Sequence, residues 1–198
     1  MGMHKPSLAL APGSPPLGAL ALSQLLDCRW LDVVLVVVNP SDRLEWLEDV
    51  LAAHASRIVI VRCEDAGNGM SYSLKAGVRE ARARSPEGVL IALADQPFVT
   101  TELLGRLVAA FEAERLDYVA CAGGLDASPP ALLGPAMFAD IERLEGDAGA
   151  RKLLISGRYR GRRITVDRPH ELLDVDDQVQ LRQAEQLWKM YRRGDHGA

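Results

Sequence analysis

Short aliphatic runs separated by longer amphipathic stretches constrain this chain more than any other feature. Val33–Val38 reads VVLVVV and Val89–Ala94 reads VLIALA, each too short for a typical helix and too uniformly apolar for a strand with one wet face. Such runs suit strands buried on both faces of a parallel sheet. Leu8–Ala11, Arg57–Val61 and Tyr118–Cys121 are further candidate strands, and helices are expected near Gly18–Cys28, Arg43–His54, Ser71–Arg84 and Thr101–Glu114. Strands that alternate with helices in this way build βαβ units, so the fold class is α/β. Ser41 or Asp42 can cap the second helix, and Thr100 can cap the fourth.

Beyond Cys121 the alternation stops. The passage AGGLDASPP, residues 122–130, is rich in turn formers and leads to a short apolar piece, Ala131–Leu133, where the sheet is expected to change character. A helix over Pro135–Leu144, the interruption EGDAGAR, a helix to Ser156, a strand Arg163–Val166 and a last helix Asp177–Arg193 complete the expectation. The 198 residues, 48% hydrophobic and 25% charged, fit one domain over 1–198 with a frayed end at 193–198. A net charge of -4 gives no broad attraction for nucleic acid or an anionic membrane. Cys28, Cys63 and Cys121 lack CxxC spacing, which indicates neither a disulfide framework nor zinc and fits the cytoplasm. PGSPP interrupts the apolar amino-terminal stretch, and no run reaches the length of a membrane span, so no leader, span or lipid anchor is expected.

Four stretches can carry chemistry. In an open α/β sheet ligands bind beyond the carboxyl ends of strands, and Asp95 stands at such an end, followed by Gln96 and Pro97. A buried carboxylate needs a partner, and a metal ion, backbone N–H groups or water would each serve. In AGNGMSYSLKAGV, Gly67 and Gly69 let the backbone approach a ligand, and Ser71 or Ser73 offers a hydroxyl near a helix start; an ordinary turn and N-cap reads the same way. In LEGDAGARKLL, Asp147 can cap a helix, and Arg151 can grip a phosphate or pair with a surface acid. In LLDVDDQVQL, Asp177 suits an N-cap, leaving Asp174 and Asp176 as candidate metal carboxylates or as a solvated acidic helix start.

Taken in order, these stretches resemble the MobA-like nucleotidyltransferases, most closely the molybdenum-cofactor cytidylyltransferase branch. That family reads L-A-A-G-x-S-x-R-M-G-x-x-K, then G-M-x-x-S-L-x-x-G, L-A-D-Q-P, G-D-x-G-A-R and a late D-x-D. GMSYSLKAG, LADQPFVT, GDAGAR and DVDDQVQL match the last four in order. The resemblance implies a Rossmann-like three-layer α/β/α fold with a mostly parallel, mixed sheet. It implies transfer of a nucleotidyl group, CTP being the expected donor, to a molybdopterin-type cofactor with release of pyrophosphate. Asp95 would then be catalytic and would hold Mg²⁺ with Asp176. Gly69, Ser71, Ser73, Gln96 and Pro97 would line the nucleotide together with Ala11, Gly13 and Ser14, and Asp147 and Arg151 would face phosphate or acceptor.

The opening signature departs from the pattern when placed on Leu10–Gly18. Pro16 then stands where the phosphate-gripping Arg belongs, no Lys occurs between Lys5 and Lys75, and Pro12, Pro15 and Pro16 cannot donate to phosphate. Two other readings therefore stand beside the active enzyme. One is a catalytically weak or inactive relative that binds a nucleotide or cofactor, or assists a molybdoenzyme or maturation partner. The other is a sugar-nucleotide glycosyltransferase, suggested by Asp174-Val175-Asp176.

Overall fold

A computed structural model describes residues 4–123, 126–147 and 149–194. Gly124 and Leu125 of the turn-rich passage, Ala148 of GDAGAR and the end 195–198 lie outside the described residues. The elements run α1 (Leu17–Asp27), β1 (Val34–Val38), α2 (Glu48–His54), β2 (Ile58–Arg62), α3 (Met70–Arg82), β3 (Val89–Ile91), α4 (Thr101–Glu114), β4 (Tyr118–Gly123), β5 (Asp126–Leu133), α5 (Phe138–Ile141), α6 (Arg151–Leu154), β6 (Gly161–Ile164) and α7 (Gln178–Gly194), with short 3-10 turns between them. The fold is three-layer α/β, as expected.

The strands form two sheets. β1 and β2 pair in parallel, and the other four lie in the order β3-β5-β4-β6. β5 runs antiparallel to both its neighbours, while β4 and β6 are parallel, so the change of character expected after Cys121 is one antiparallel strand inserted between β3 and β4. Insertion buries it: Ala131 and Leu133 pack with Val78 of α3, Met137 and Ile141 in the largest core cluster. α4 covers the other side through Leu103 and Leu107, which meet Val119 and Cys121. Burial pushes the Cys121 thiol up to about 12, aided by the negative charge of Glu171.

Several local expectations are corrected. Leu8–Ala11 is not a sheet strand: Ala9 forms a single bridge with Pro16, and Leu10 is buried against Leu17, Phe98 and Val175. The run from Val89 pairs only as far as Ile91, so Leu93 and Ala94 lie beyond the strand. Neither Ser41 nor Asp42 caps α2. Asp42 instead accepts the Leu44 N–H at 2.8 Å and the Trp46 indole N–H, Glu45–Leu47 forms a 3-10 turn, and the helix begins at Glu48. Asp147 caps nothing either, because α6 starts one turn later with Ala150 as N-cap. Thr100 does cap α4, accepting the Leu103 N–H at 3.2 Å, and Asp177 accepts from Val179 and Gln180 at the start of α7. No helix among the described residues is long and apolar enough to cross a membrane.

Candidate active site

Three separate segments converge beyond β3. Residues 94–98 leave the sheet as tight turns, which Gln96, Pro97 and Phe98 anchor by being buried. The Asp95 carbonyl accepts the Val175 N–H at 3.0 Å, and this bond fixes the segment that carries Asp174 and Asp176 beside the turn. Lys5, in a 3-10 turn over Lys5–Ser7, reaches both acids. Its Nζ donates to Asp176 Oδ1 at 2.5 Å and to Asp95 Oδ2 at 3.4 Å, so the two carboxylate oxygens lie less than twice the longer distance apart. The turn is held by His4, whose Nδ1 meets Ser7 Oγ at 2.7 Å while Nε2 meets Asp42 at 3.1 Å.

The electrostatics follow from this convergence. The bond to Asp176 and the charges of both acids hold the Lys5 ammonium above its ordinary pKa, against the effect of desolvation. Burial lifts the Asp174 carboxyl above the usual range, and the Asp95 charge adds to it, while Gln96 and Lys5 act in the opposite sense. One oxygen of Asp174 and the Oε1 of Gln96 are buried without a hydrogen-bond partner, and Ser71 Oγ is a third such atom. Unpaired buried polar atoms are uncommon in folded proteins and call for a ligand, a water or a functional reason.

A second pair of loops meets at the start of α3. Gly69 has φ +128°, and a Cβ placed there would come within 2.4 Å of the Gly146 backbone. Ser71 N–H donates to the Gly146 carbonyl at 3.1 Å, and Lys75 Nζ donates to the Leu144 carbonyl at 2.9 Å. The glycine is thus required by contact between the 69–75 and 144–147 loops, whichever molecule binds beside them. Met70 is exposed here, and Ser73 and Arg151 line the same large groove as Met70. Asp147 is exposed.

The structure does not assemble Ala11, Gly13 and Ser14 as an open anion cradle. Ser14 Oγ accepts the Ala11 N–H at 3.1 Å, and Ser14 N–H donates to the Ala11 carbonyl at 3.0 Å, so the polar groups close on one another across a turn with Gly13 at φ +76°.

The MobA-like NTP transferase domain matches residues 1–163. This chain belongs to that family. It is 34% identical over 180 residues to the purine catabolism protein PucB of Bacillus subtilis strain 168, covering 89% of this chain and 85% of that protein. It is 30% identical over 163 residues to the phosphoenolpyruvate guanylyltransferase of Sphaerobacter thermophilus, covering 78% and 74%. Among solved structures, the homologue of Mycobacterium tuberculosis Rv0371c from Mycobacterium sp. strain JC1 superposes with TM-score 0.70 at 26% identity, over 94% of this chain and 91% of that one.

The opening signature of the MobA-like pattern ends in M-G-x-x-K, and the chain begins Met1-Gly2-Met3-His4-Lys5. Lys5 thus matches the signature lysine by sequence, and Leu10–Gly18 spans the closed turn at Ala11–Ser14 and the start of α1. The signal was legible at residues 1–5. It was obscured because Leu8–Ala11 reads as a first strand, which places the pattern sixteen residues downstream, with its glycine on Gly18 instead of Gly2.

Proposed function

We propose that this chain transfers a nucleotidyl group from a nucleoside triphosphate, CTP, to a small cofactor of the molybdopterin type and releases pyrophosphate. The observation that carries the reading is the convergence of Asp95, Asp176 and Lys5 from three segments. Nucleotidyl transfer needs positioning and charge neutralisation more than a protein nucleophile, and two acids beside one cation supply both. Among the described residues no group of three or more His, Cys, Asp or Glu side chains is arranged to hold a metal ion. Mg²⁺ does not need one, since it is commonly held by one or two carboxylates with phosphate and water completing its shell. Asp95 and Asp176 fit that ion, which when bound neutralises phosphate charge and orients the triphosphate.

In this reading Lys5 presents its ammonium to the phosphates from a position already set by the two acids. Ser71 and Gln96, each with an unpaired buried atom, orient the nucleotide with Gly69, Ser73 and Pro97, while Asp147 and Arg151 face the phosphates or the acceptor. Ala11, Gly13 and Ser14 contribute through the packing of their turn. The name of one relative, a phosphoenolpyruvate guanylyltransferase, supports transfer of a nucleotidyl group to a small acceptor. Calorimetric titration with CTP, GTP, ATP and UTP, each with and without Mg²⁺, tests donor and metal together. Pyrophosphate release with CTP and a molybdopterin-type acceptor is expected in wild type. Asp95→Asn and Lys5→Ala are each expected to lower turnover by about 10² to 10³. Activity that survives Asp95→Asn unchanged overturns the metal assignment.

One observation favours the accessory reading. Lys5 is paired with both Asp95 and Asp176 and so engages the two carboxylates that a divalent ion would use. Tight nucleotide binding with no pyrophosphate release from any triphosphate would establish that reading instead.

A further inference from the structure

Lys5 stands at one end of a chain of contacts that begins on β2. His4, the residue before it, has extended backbone angles, φ -69° and ψ 99°, and its ring turns toward Asp42 while the Lys5 ammonium reaches Asp95 and Asp176. An ionised carboxylate can only accept, and that of Asp42 already takes the Leu44 N–H and the Trp46 indole N–H. His4 Nε2 therefore carries a hydrogen toward it at 3.1 Å, and the Ser7 hydroxyl serves Nδ1 at 2.7 Å. Both ring nitrogens are used, one across to the turn after β1 and one back to the far end of the Lys5–Ser7 turn.

The platform under His4 is firm. Arg62 of β2 donates to the carbonyls of Pro40 and Asp42 at 2.7 and 3.2 Å, which fixes the turn that carries Asp42. On the other side α1 presses close: a Cβ added at Gly18 would lie 2.5 Å from the Trp46 ring and 2.9 Å from the Pro6 Cβ. Lys5 is thus mounted on the two-stranded side, whereas the acids it meets belong to segments after β3 and before α7. A lysine side chain is long and flexible, and a fixed origin lowers the freedom it must lose on meeting phosphate.

We propose that His4 is a positioning residue for nucleotidyl transfer: it bridges Asp42 and Ser7, fixes the backbone from which Lys5 extends, and so delivers the ammonium to the triphosphate from a set direction. The effect on phosphate rests on the proposed reaction. The hold of His4 on Lys5 does not, and it is measurable without turnover.

The test compares the full chain with His4→Ala, His4→Phe and His4→Gln. Phe keeps a ring near Trp46 without its nitrogens, and Gln keeps an N–H donor at the reach of Nε2. Acylation of the Lys5 amine by a dilute succinimidyl ester is read by peptide mass against the exposed Lys152. His4→Ala and His4→Phe are expected to raise the Lys5 rate about tenfold, because the charge-assisted bonds that restrain the amine are loosened, while His4→Gln stays within about twofold of wild type. Unchanged rates in His4→Ala, wild-type rates in His4→Phe, or a His4→Gln rate equal to that of His4→Ala overturn the proposal. Calorimetry with CTP and with cytidine, each with Mg²⁺, then separates positioning from general loosening. His4→Ala is expected to weaken CTP about tenfold and to leave cytidine unchanged, and equal weakening of both overturns the positioning role. If wild type binds neither, the proposed donor fails, and the acylation rates alone decide for or against the hold of His4 on Lys5. Should His4→Ala fail to fold, His4→Phe carries both comparisons.

Discussion

Leu133 and Val36 stand in equally aliphatic strands and end in different surroundings. β5 lies between β3 and β4, and Leu133 is fully buried in the largest core cluster. β1 has β2 on one side and the groove on the other, and Val36 is half-buried. Composition sets how much burial a strand wants, and topology sets how much it receives. Burial is therefore deeper at Leu133 on the four-stranded side than at Val36 on the two-stranded side.

Truncating the two side chains tests that difference most directly. Leu133→Ala is expected to cost about 2–5 kcal/mol, because the site is enclosed and cannot collapse. Val36→Ala should cost about 1 kcal/mol, since its methyl groups are already partly in water. Urea unfolding of both variants decides the matter, and equal losses would break the comparison.

The loops that join the two sides give the next effect. Gly69→Ala puts a Cβ against the Gly146 backbone at a positive φ, and a loss of about 1–3 kcal/mol is expected. Gly13→Ala, also at positive φ but with open space around the new Cβ, should cost only about 1 kcal/mol. If thermal melts show the two losses equal, contact between the loops is not what requires glycine at 69.

What could be read in the sequence divides along the same line. Val33–Val38, Arg57–Val61 and Tyr118–Cys121 announced strands because uniform aliphatic runs between amphipathic stretches have few other solutions. Only Ala131–Leu133 of β5 was legible, since Asp126–Pro130 carries two prolines and pairs with β4 across a shift in register. Leu8–Ala11 has a strand's composition and none of its pairing, and periodicity cannot see which neighbour is present. Asp95 and Asp176 were found through motif order. Their contact depends on the Val175–Asp95 backbone bond, and no local pattern encodes that bond. Lys5 was missed because a closed turn downstream imitated the signature.

The smallest effect tests charge rather than packing. Asp174 and Asp177, three residues apart on the four-stranded side, are shifted in opposite directions. Burial first, then the Asp95 charge, raises the Asp174 carboxyl, whereas backbone N–H groups of Gln180 and Val179 lower that of Asp177. A carboxyl whose pKa is higher folded than unfolded costs stability at pH above its folded value. That cost is relieved as the pH falls through the folded value toward the unfolded one of about 4. Asp174→Asn should therefore melt slightly higher than wild type at pH 7, and the gap should close on acidification. Asp177 behaves in the reverse sense: its contribution is present above the unfolded pKa and is lost as the pH falls through the depressed folded value. Asp177→Ala should thus melt lower than wild type at pH 7 and approach it in acid. Melting curves of the three proteins from pH 2 to 8 check both signs. A gap for Asp174→Asn that does not change with pH would show that this carboxyl titrates alike in the folded and unfolded protein, and would overturn the upward shift assigned to burial and the Asp95 charge.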